Sequence, residues 1–338
     1  MIMRIGTIGS GFIVRTLLDK ISQTDGIECG AVYSRSLEKG TALAADFGVT
    51  KVYTDLEELF TDDTLDFIYV ASPNSLHYEQ TKRALEHGKN VICEKPMVPY
   101  AAQARELVEL AKKKNLFLFE GITTLYHPLF PWVRDHLPDL GTLQMISATY
   151  CQYSSRYDLL LAGQQTNIFD PEFATGSLMD INVYNIYFIA ALLGRPDNVI
   201  YLAGKHENGI DTHGTLLMQY GNVVCQCVGA KDTFCDNTVQ IMGADGYMRV
   251  SPTSSTFNSI TLVRRSKADI GPASLHNRDK GKDREEISVD ADQWLYEVQA
   301  FARIVAEKDY ETCYKNLETA CIVAEILEKA RASANMSF

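Results

Sequence analysis

The chain of 338 residues is too long for one ordinary domain and suits two. Apolar residues make up 46% and charged residues 22%, the mixture of a chain with a large core, which excludes a disordered, collagenous or coiled-coil protein. The 32 Lys+Arg against 43 Asp+Glu leave a net charge of −11, so no nucleic-acid or membrane partner is expected, although a local basic pocket for a phosphate-bearing ligand stays open.

Up to residue 121 the pattern alternates short β-rich runs with amphipathic helical stretches. Strands are expected at Ile2–Ile8, Ile27–Tyr33, Lys51–Tyr53, Phe67–Ala71, Asn90–Cys93 and Leu116–Phe119. The intervening helices are expected at Phe12–Ile21, Leu37–Phe47, Leu56–Phe60, Leu76–His87 (capped by Asn74 or Ser75) and Ala101–Lys114. Near-continuous apolar strands separated by helices mean a parallel sheet covered on both faces. After Gly121 the rhythm changes. Strands at Gln144–Cys151, Val199–Leu202, Thr215–Tyr220, Val223–Val228, Thr238–Met242, Tyr247–Val250 and Ser259–Val263 are linked in part by tight-turn signals at Gly221-Asn222 and Gly243–Gly246. Helices are expected at Pro128–Leu137, Leu178–Leu193, Gln293–Glu307 and Leu317–Ala332, and a solvated loop at Arg264–Glu286. The expected architecture is therefore α/β. An N-terminal Rossmann-type, doubly wound parallel sheet spans 1–121, and a C-terminal α+β domain with an open, mostly antiparallel sheet spans 122–338. The open face predicts a homodimer or tetramer.

The eight cysteines are scattered, and no two form a C-x-x-C. Cys29 and Cys93 read as small buried hydrophobes; Cys225 and Cys227 share one strand face with no matching His/Cys pair, so no metal site is expected. Met1-Ile2-Met3-Arg4 enters a strand at once, leaving no room for a signal peptide, and no apolar run approaches membrane-span length. A cytoplasmic location is the expectation.

Gly9-Ser10-Gly11-Phe12-Ile13-Val14 follows the first strand and opens the first helix. Gly9 permits a tight turn, and Gly11 lets backbone N–H groups approach a pyrophosphate at the helix N-terminus. The third small position of G-x-G-x-x-G/A is Val14, a departure. NAD usually meets an acid at the C-terminal end of the second strand, but Glu28 lies at its start. The right end reads Tyr33-Ser34-Arg35-Ser36, whose hydroxyls and guanidinium suit a 2′-phosphate, so NADP is favoured with NAD as the alternative.

Two further runs, Ala71-Ser72-Pro73-Asn74-Ser75-Leu76-His77 and Cys93-Glu94-Lys95-Pro96, end the fourth and fifth main strands, where open α/β sheets bind ligands. With the glycine turn, these residues make 1–125 resemble the nucleotide-binding half of the glucose–fructose oxidoreductase/inositol dehydrogenase/rhizopine-catabolism (Gfo/Idh/MocA) family. The likeness continues through Gly176-Ser177-Leu178-Met179-Asp180-Ile181-Asn182-Val183-Tyr184, similar to the family's G-x-L-x-D-x-G-x-H/Y helix start.

The resemblance implies hydride exchange between a nicotinamide and a carbon bearing hydroxyl or carbonyl, in a sugar, polyol or dihydrodiol-like compound. Lys95 is then the catalytic candidate, its proton affinity lowered beside a cationic nicotinamide. Asp180 and Tyr184, four apart, project from one helix face beside it. Tyr184, in place of His, resembles the dihydrodiol dehydrogenase and glucose–fructose oxidoreductase branches, with Tyr184 or Lys95 as proton donor. Gly9, Ser10, Gly11, Phe12, Ile13, Ser34, Arg35, Ser72, Pro73, Asn74, His77, Glu94 and Lys95 are the expected cofactor-binding residues. Two departures stand out: Asn182 replaces the family's common Gly, and Leu125 holds the arginine position of the Glu120–Pro128 run. His127 and Arg156 are weaker candidates for the pocket. Two alternatives remain: an NAD-dependent inositol-type dehydrogenase, and a non-catalytic dinucleotide-sensing regulator.

Overall fold

The computed structural model describes residues 2–265 and 283–337. Its first half interleaves β1 (Met3–Ile8), α1 (Phe12–Ile21), β2 (Ile27–Tyr33), α2 (Leu37–Asp46), β3 (Lys51–Tyr53), α3 (Leu56–Phe60), β4 (Phe67–Val70), α4 (His77–Glu86), β5 (Asn90–Glu94), α5 (Ala101–Lys114) and β6 (Leu118–Gly121). The six strands are parallel in the order β3-β2-β1-β4-β5-β6, so the winding of the sheet switches sides between β1 and β4. That switch opens a crevice at the strands' C-terminal ends. All four residues of β4 are buried, as a strand covered on both faces requires. Helix α1 buries Val14, Leu17, Leu18 and Ile21 on one face, and Ser36 caps α2 by accepting from the Lys39 N–H.

The second half contains α6 (Thr123–Tyr126), α7 (Leu129–Asp135), β7 (Leu143–Cys151), α8 (Tyr157–Leu161) and α9 (Val183–Leu193). Six strands follow: β8 (Asn198–Lys205), β9 (Asp211–Tyr220), β10 (Val223–Ala230), β11 (Thr238–Gly243), β12 (Gly246–Ser251) and β13 (Ser259–Arg264). Strand β14 (Asp283–Ser288) and helices α10 (Gln293–Glu307) and α11 (Tyr310–Ser333) complete the chain. The eight strands run β14-β13-β12-β11-β7-β10-β9-β8, antiparallel except for the β7–β10 pair. Alternate residues such as Ile146, Tyr201, Leu216, Cys227 and Ile241 are buried on the inner face. Helix α11 packs on α5 and β6 of the first half and on α9 and β8 of the second, tying the two together.

Several expectations need correction. Both ends of the expected loop at 264–286 are strand, β13 and β14 pairing from Ser259↔Ser288 to Arg264↔Asp283, while residues 266–282 lie outside the described residues. The last helix starts at Tyr310, with Asp309 accepting from the Thr312 N–H as its cap. Neither Asn74 nor Ser75 caps α4; residues Asn74–Leu76 form a 3₁₀ turn, and the Asn74 amide donates instead to the Ala174 carbonyl at 2.9 Å. Cys29 is only partly buried. The segment Pro171–Leu193 is, against expectation, apolar and long enough to cross a membrane by length and composition. Most of it is buried, as in the core helix of a folded domain.

Candidate active site

The glycine turn sits at the crevice. Gly9 has φ +121°, and a Cβ there would lie 2.7 Å from the Ala71 carbonyl oxygen, so no other residue fits. Its N–H donates to the Tyr33 carbonyl, joining the ends of β1 and β2. A Cβ at Gly11 would meet nothing within 4 Å, and no side chain caps α1. The helix therefore offers free N–H groups beside open space, the cradle a dinucleotide diphosphate requires. Ser10 and Ile13 are half-buried and Phe12 is 75% exposed. Val14 is fully buried and fills the expected small position with core packing.

At the end of β2, Ser34 is buried and accepts from the Ser36 N–H, while Arg35 is exposed and has no ion pair among the described residues. Glu28 stands at the far end of that strand, paired with Arg4 at 2.5 Å. Ser72 donates to Gln80, and Pro73 is half-buried between it and Asn74. His77 is buried, its ring between the carbonyls of Ser72 (2.8 Å) and Pro96 (3.0 Å), and burial lowers its proton affinity. The ring thus ties the loop after β4 to the loop after β5.

The charged cluster lies where β5 meets the second half. A π-helical turn, Leu178–Asn182, leads into α9 and presents Asp180. Lys95 Nζ donates to the Asp180 carbonyl oxygen at 2.7 Å and to Oδ1 at 3.0 Å, and stands 4.9 Å from the centre of the Tyr184 ring. Asp180 Oδ2 accepts from Lys231, which follows β10 and is nearly as buried as the core. Burial pushes the Lys95 proton affinity down, but Asp180, Tyr184 and Glu94 more than offset it, so the net shift is upward. The expected lowering is therefore not found in the protein alone. Burial alone would raise the Asp180 carboxyl, yet Lys231 and Lys95 together hold it well below the carboxylate range. Burial raises the Tyr184 hydroxyl and Lys95 opposes this, leaving it above its ordinary value and protonated at neutral pH.

Below the cluster sit three carboxylates. Glu94 Oε1 accepts from Tyr69 (2.5 Å), Glu120 accepts from the Met97 N–H (2.8 Å) and from the Tyr187 hydroxyl, and Glu297 Oε1 has no partner among the described residues. Burial raises all three, Glu120 to about 7.

Asn182 is buried against the sheet rather than near Lys95: its amide donates to the Cys227 carbonyl and its Oδ1 accepts from Asn185. Leu125 packs against the core, and His127 accepts from the Leu129 N–H while its ring lies tilted against Phe257, centre to centre 3.9 Å. Arg156 is exposed. Lys231 escaped the sequence reading because Gly229-Ala230-Lys231-Asp232 resembles any polar strand exit. The available signal was its place just after a strand that returns to the core.

Comparison with known proteins bears on this geometry. The family described as "Oxidoreductase family, NAD-binding Rossmann fold" matches residues 3–122, and the Gfo/Idh/MocA C-terminal domain matches residues 138–249. The chain is 32% identical over 329 residues to the scyllo-inositol 2-dehydrogenase (NADP(+)) IolU of Bacillus subtilis, covering 97% of this chain and 96% of that one. It is 27% identical over 347 residues to the trans-1,2-dihydrobenzene-1,2-diol dehydrogenase of Mus musculus, covering 100% and 98%. Among solved structures, KijD10, a 3-ketoreductase from Actinomadura kijaniata in complex with NADP and TDP-benzene, shares the fold with a TM-score of 0.82 at 22% identity over 98% of each chain.

Proposed function

The chain belongs to the Gfo/Idh/MocA oxidoreductase family, and from that premise we propose that it is an NADP-dependent oxidoreductase of a cyclic or polyhydroxylated alcohol, a sugar, polyol or dihydrodiol, acting as a homodimer. The observation that carries the reading is Lys95, half-buried at the end of β5, bonded to Asp180 and facing the Tyr184 ring. The net reaction is CH–OH + NADP⁺ → C=O + NADPH + H⁺, or its reverse. When bound, the nicotinamide exchanges the hydride with the carbon that bears oxygen.

The chain's own residues handle the proton. In reduction, the Tyr184 hydroxyl and the Lys95 ammonium, both protonated at neutral pH, donate to the carbonyl oxygen, and one of them gives up its proton as the alcohol forms. Asp180 fixes the Lys95 side chain through two hydrogen bonds. The uncapped start of α1 would hold the diphosphate, and Ser34 with Arg35 would bind a 2′-phosphate. IolU's NADP dependence and the inositol and dihydrodiol activities named for the relatives support this choice.

The test is a screen of sugars, inositols and trans-dihydrodiols with NADP⁺, alongside NADPH binding followed by fluorescence. Lys95→Ala is expected to cut kcat by about 10²–10⁴ while leaving NADPH bound. A wild-type protein that binds NADPH but turns over no CH–OH substrate would support a sensor instead.

A further inference from the structure

Asp180 is shared between two ammonium groups. Lys95 takes Oδ1 at 3.0 Å, and Lys231 takes Oδ2 from the opposite side. Lys231 has 7% of its side chain exposed, and its ammonium donates to Asp180. A buried lysine is costly unless its charge is matched. Lys95 alone would already match Asp180, so the second lysine leaves the trio with one positive charge in excess.

We infer that Lys231 is a positioning residue: by occupying one oxygen of Asp180 it weakens that carboxylate's hold on the Lys95 proton, easing the transfer that alcohol oxidation requires. The inference rests on the catalytic reading of Lys95. The charged and titratable groups around Lys95 come from every side. Glu94 and Glu120 lie on β5 and β6, and His77 on α4. Asp180 stands on the π turn, Tyr184 on α9 with Tyr150 of β7 behind it, and Lys231 past the end of β10. Glu94 and Asp180 stabilise the Lys95 charge and burial lowers the proton affinity of His77, while Lys231 is the second ammonium on the carboxylate that Lys95 shares. Removing a cation stabilises the protonated amine, so Lys95 should hold its proton to higher pH.

Two measurements on the full-length protein test this. First, in Lys231→Met and Lys231→Gln the acidic limb of kcat/KM for alcohol oxidation should move up by about one pH unit, whereas Lys231→Arg, which keeps the cation, should hold it near the wild-type position. Second, trace acetylation of the ligand-free protein at one fixed pH, read by peptide mass spectrometry, should show Lys95 labelled about tenfold more slowly in the Met and Gln variants, because only the neutral amine reacts. A merely structural role predicts the opposite sign, since a loosened site exposes Lys95 and speeds its labelling. An unmoved limb with unchanged or faster labelling in both variants would overturn the inference. If one neutral variant fails to fold, the other together with Lys231→Arg decides the same question. Labelling needs no turnover, so slower labelling without any NADP-linked activity in the wild type would sink the proposed function and with it the catalytic role of Lys231, leaving only its electrostatic effect on Lys95.

Discussion

At the end of β2 the backbone places Ser34 and Arg35 where a doubly wound sheet meets the adenosine ribose of a bound dinucleotide. Because Arg35 has no ion pair among the described residues, its guanidinium is free for a phosphate. Arg35→Ala should therefore weaken NADPH binding about ten- to a hundredfold, the worth of one or two charge-assisted hydrogen bonds, and leave NADH binding unchanged. Equal weakening of both, measured by fluorescence titration, would favour the NAD reading. Glu120 carries a second residue-level expectation. Burial raises it to about 7, so the folded state binds its proton more tightly than the unfolded chain does. The stability it contributes is complete below the ordinary carboxylate value, falls as pH rises, and is lost above about 7. Glu120→Gln should consequently match the wild type near pH 4.5 and exceed it at pH 8, by up to about 3 kcal/mol in denaturant titrations. A difference that does not change with pH would refute this account.

The elements explain which parts of the sequence were legible. The bounds of α1, β2, β3, α3, α5 and α10 follow directly from the chain because each buries one periodic apolar face or is flanked by clear turn residues. Strand β14 is hidden because Asp283-Arg284-Glu285-Glu286-Ile287-Ser288 is an edge strand whose charges mask the alternation. The first turns of α11 were hidden likewise, although Asp309 and Thr312 spell a cap. The glycine turn, Lys95, Asp180 and Tyr184 were readable from local motifs. Lys231 was not, because its role exists only through Asp180, brought to it by tertiary packing. The seating of the π turn is a similar tertiary fact. Gly229 on β10 accommodates Asn182, and a Cβ there would lie 2.6 Å from the Asn182 Cβ, neither atom able to swing away. Gly229→Ala should cost about 1–3 kcal/mol and lower Tm. It should also raise KM or lower kcat, because the turn that must shift carries Asp180. Unchanged Tm and kinetics would mean that the turn is not seated by this contact.

For the whole molecule, the proposed assembly rests on the outer face of the eight-stranded sheet. Met145, Ile200, Leu202, Leu217, Val224 and Tyr247 are exposed there, with Leu202 at 65%. They alternate along their strands with buried partners such as Ile146, Tyr201, Leu216 and Cys225. Register makes the exposure contiguous, since Met145 lies opposite Val224 and Ile200 opposite Leu217. Single exposed apolar residues are ordinary, but neighbours spread over five strands form a patch that water covers at a cost. The net charge of −11 does not protect this face, because repulsion between whole chains is screened over about 8–10 Å at physiological salt while apolar contact is not. A second copy docking sheet to sheet would remove the patch from water and leave both crevices free, since Gly9, Lys95 and Asp180 lie away from it. Sedimentation velocity should accordingly give a dimer or tetramer, and Ile200→Lys with Leu217→Lys should shift it to a monomer that still binds NADPH. A wild-type monomer at micromolar concentration would refute the assembly without touching the chemistry, because every polar contact described for Lys95, Asp180 and Lys231 is made within one chain.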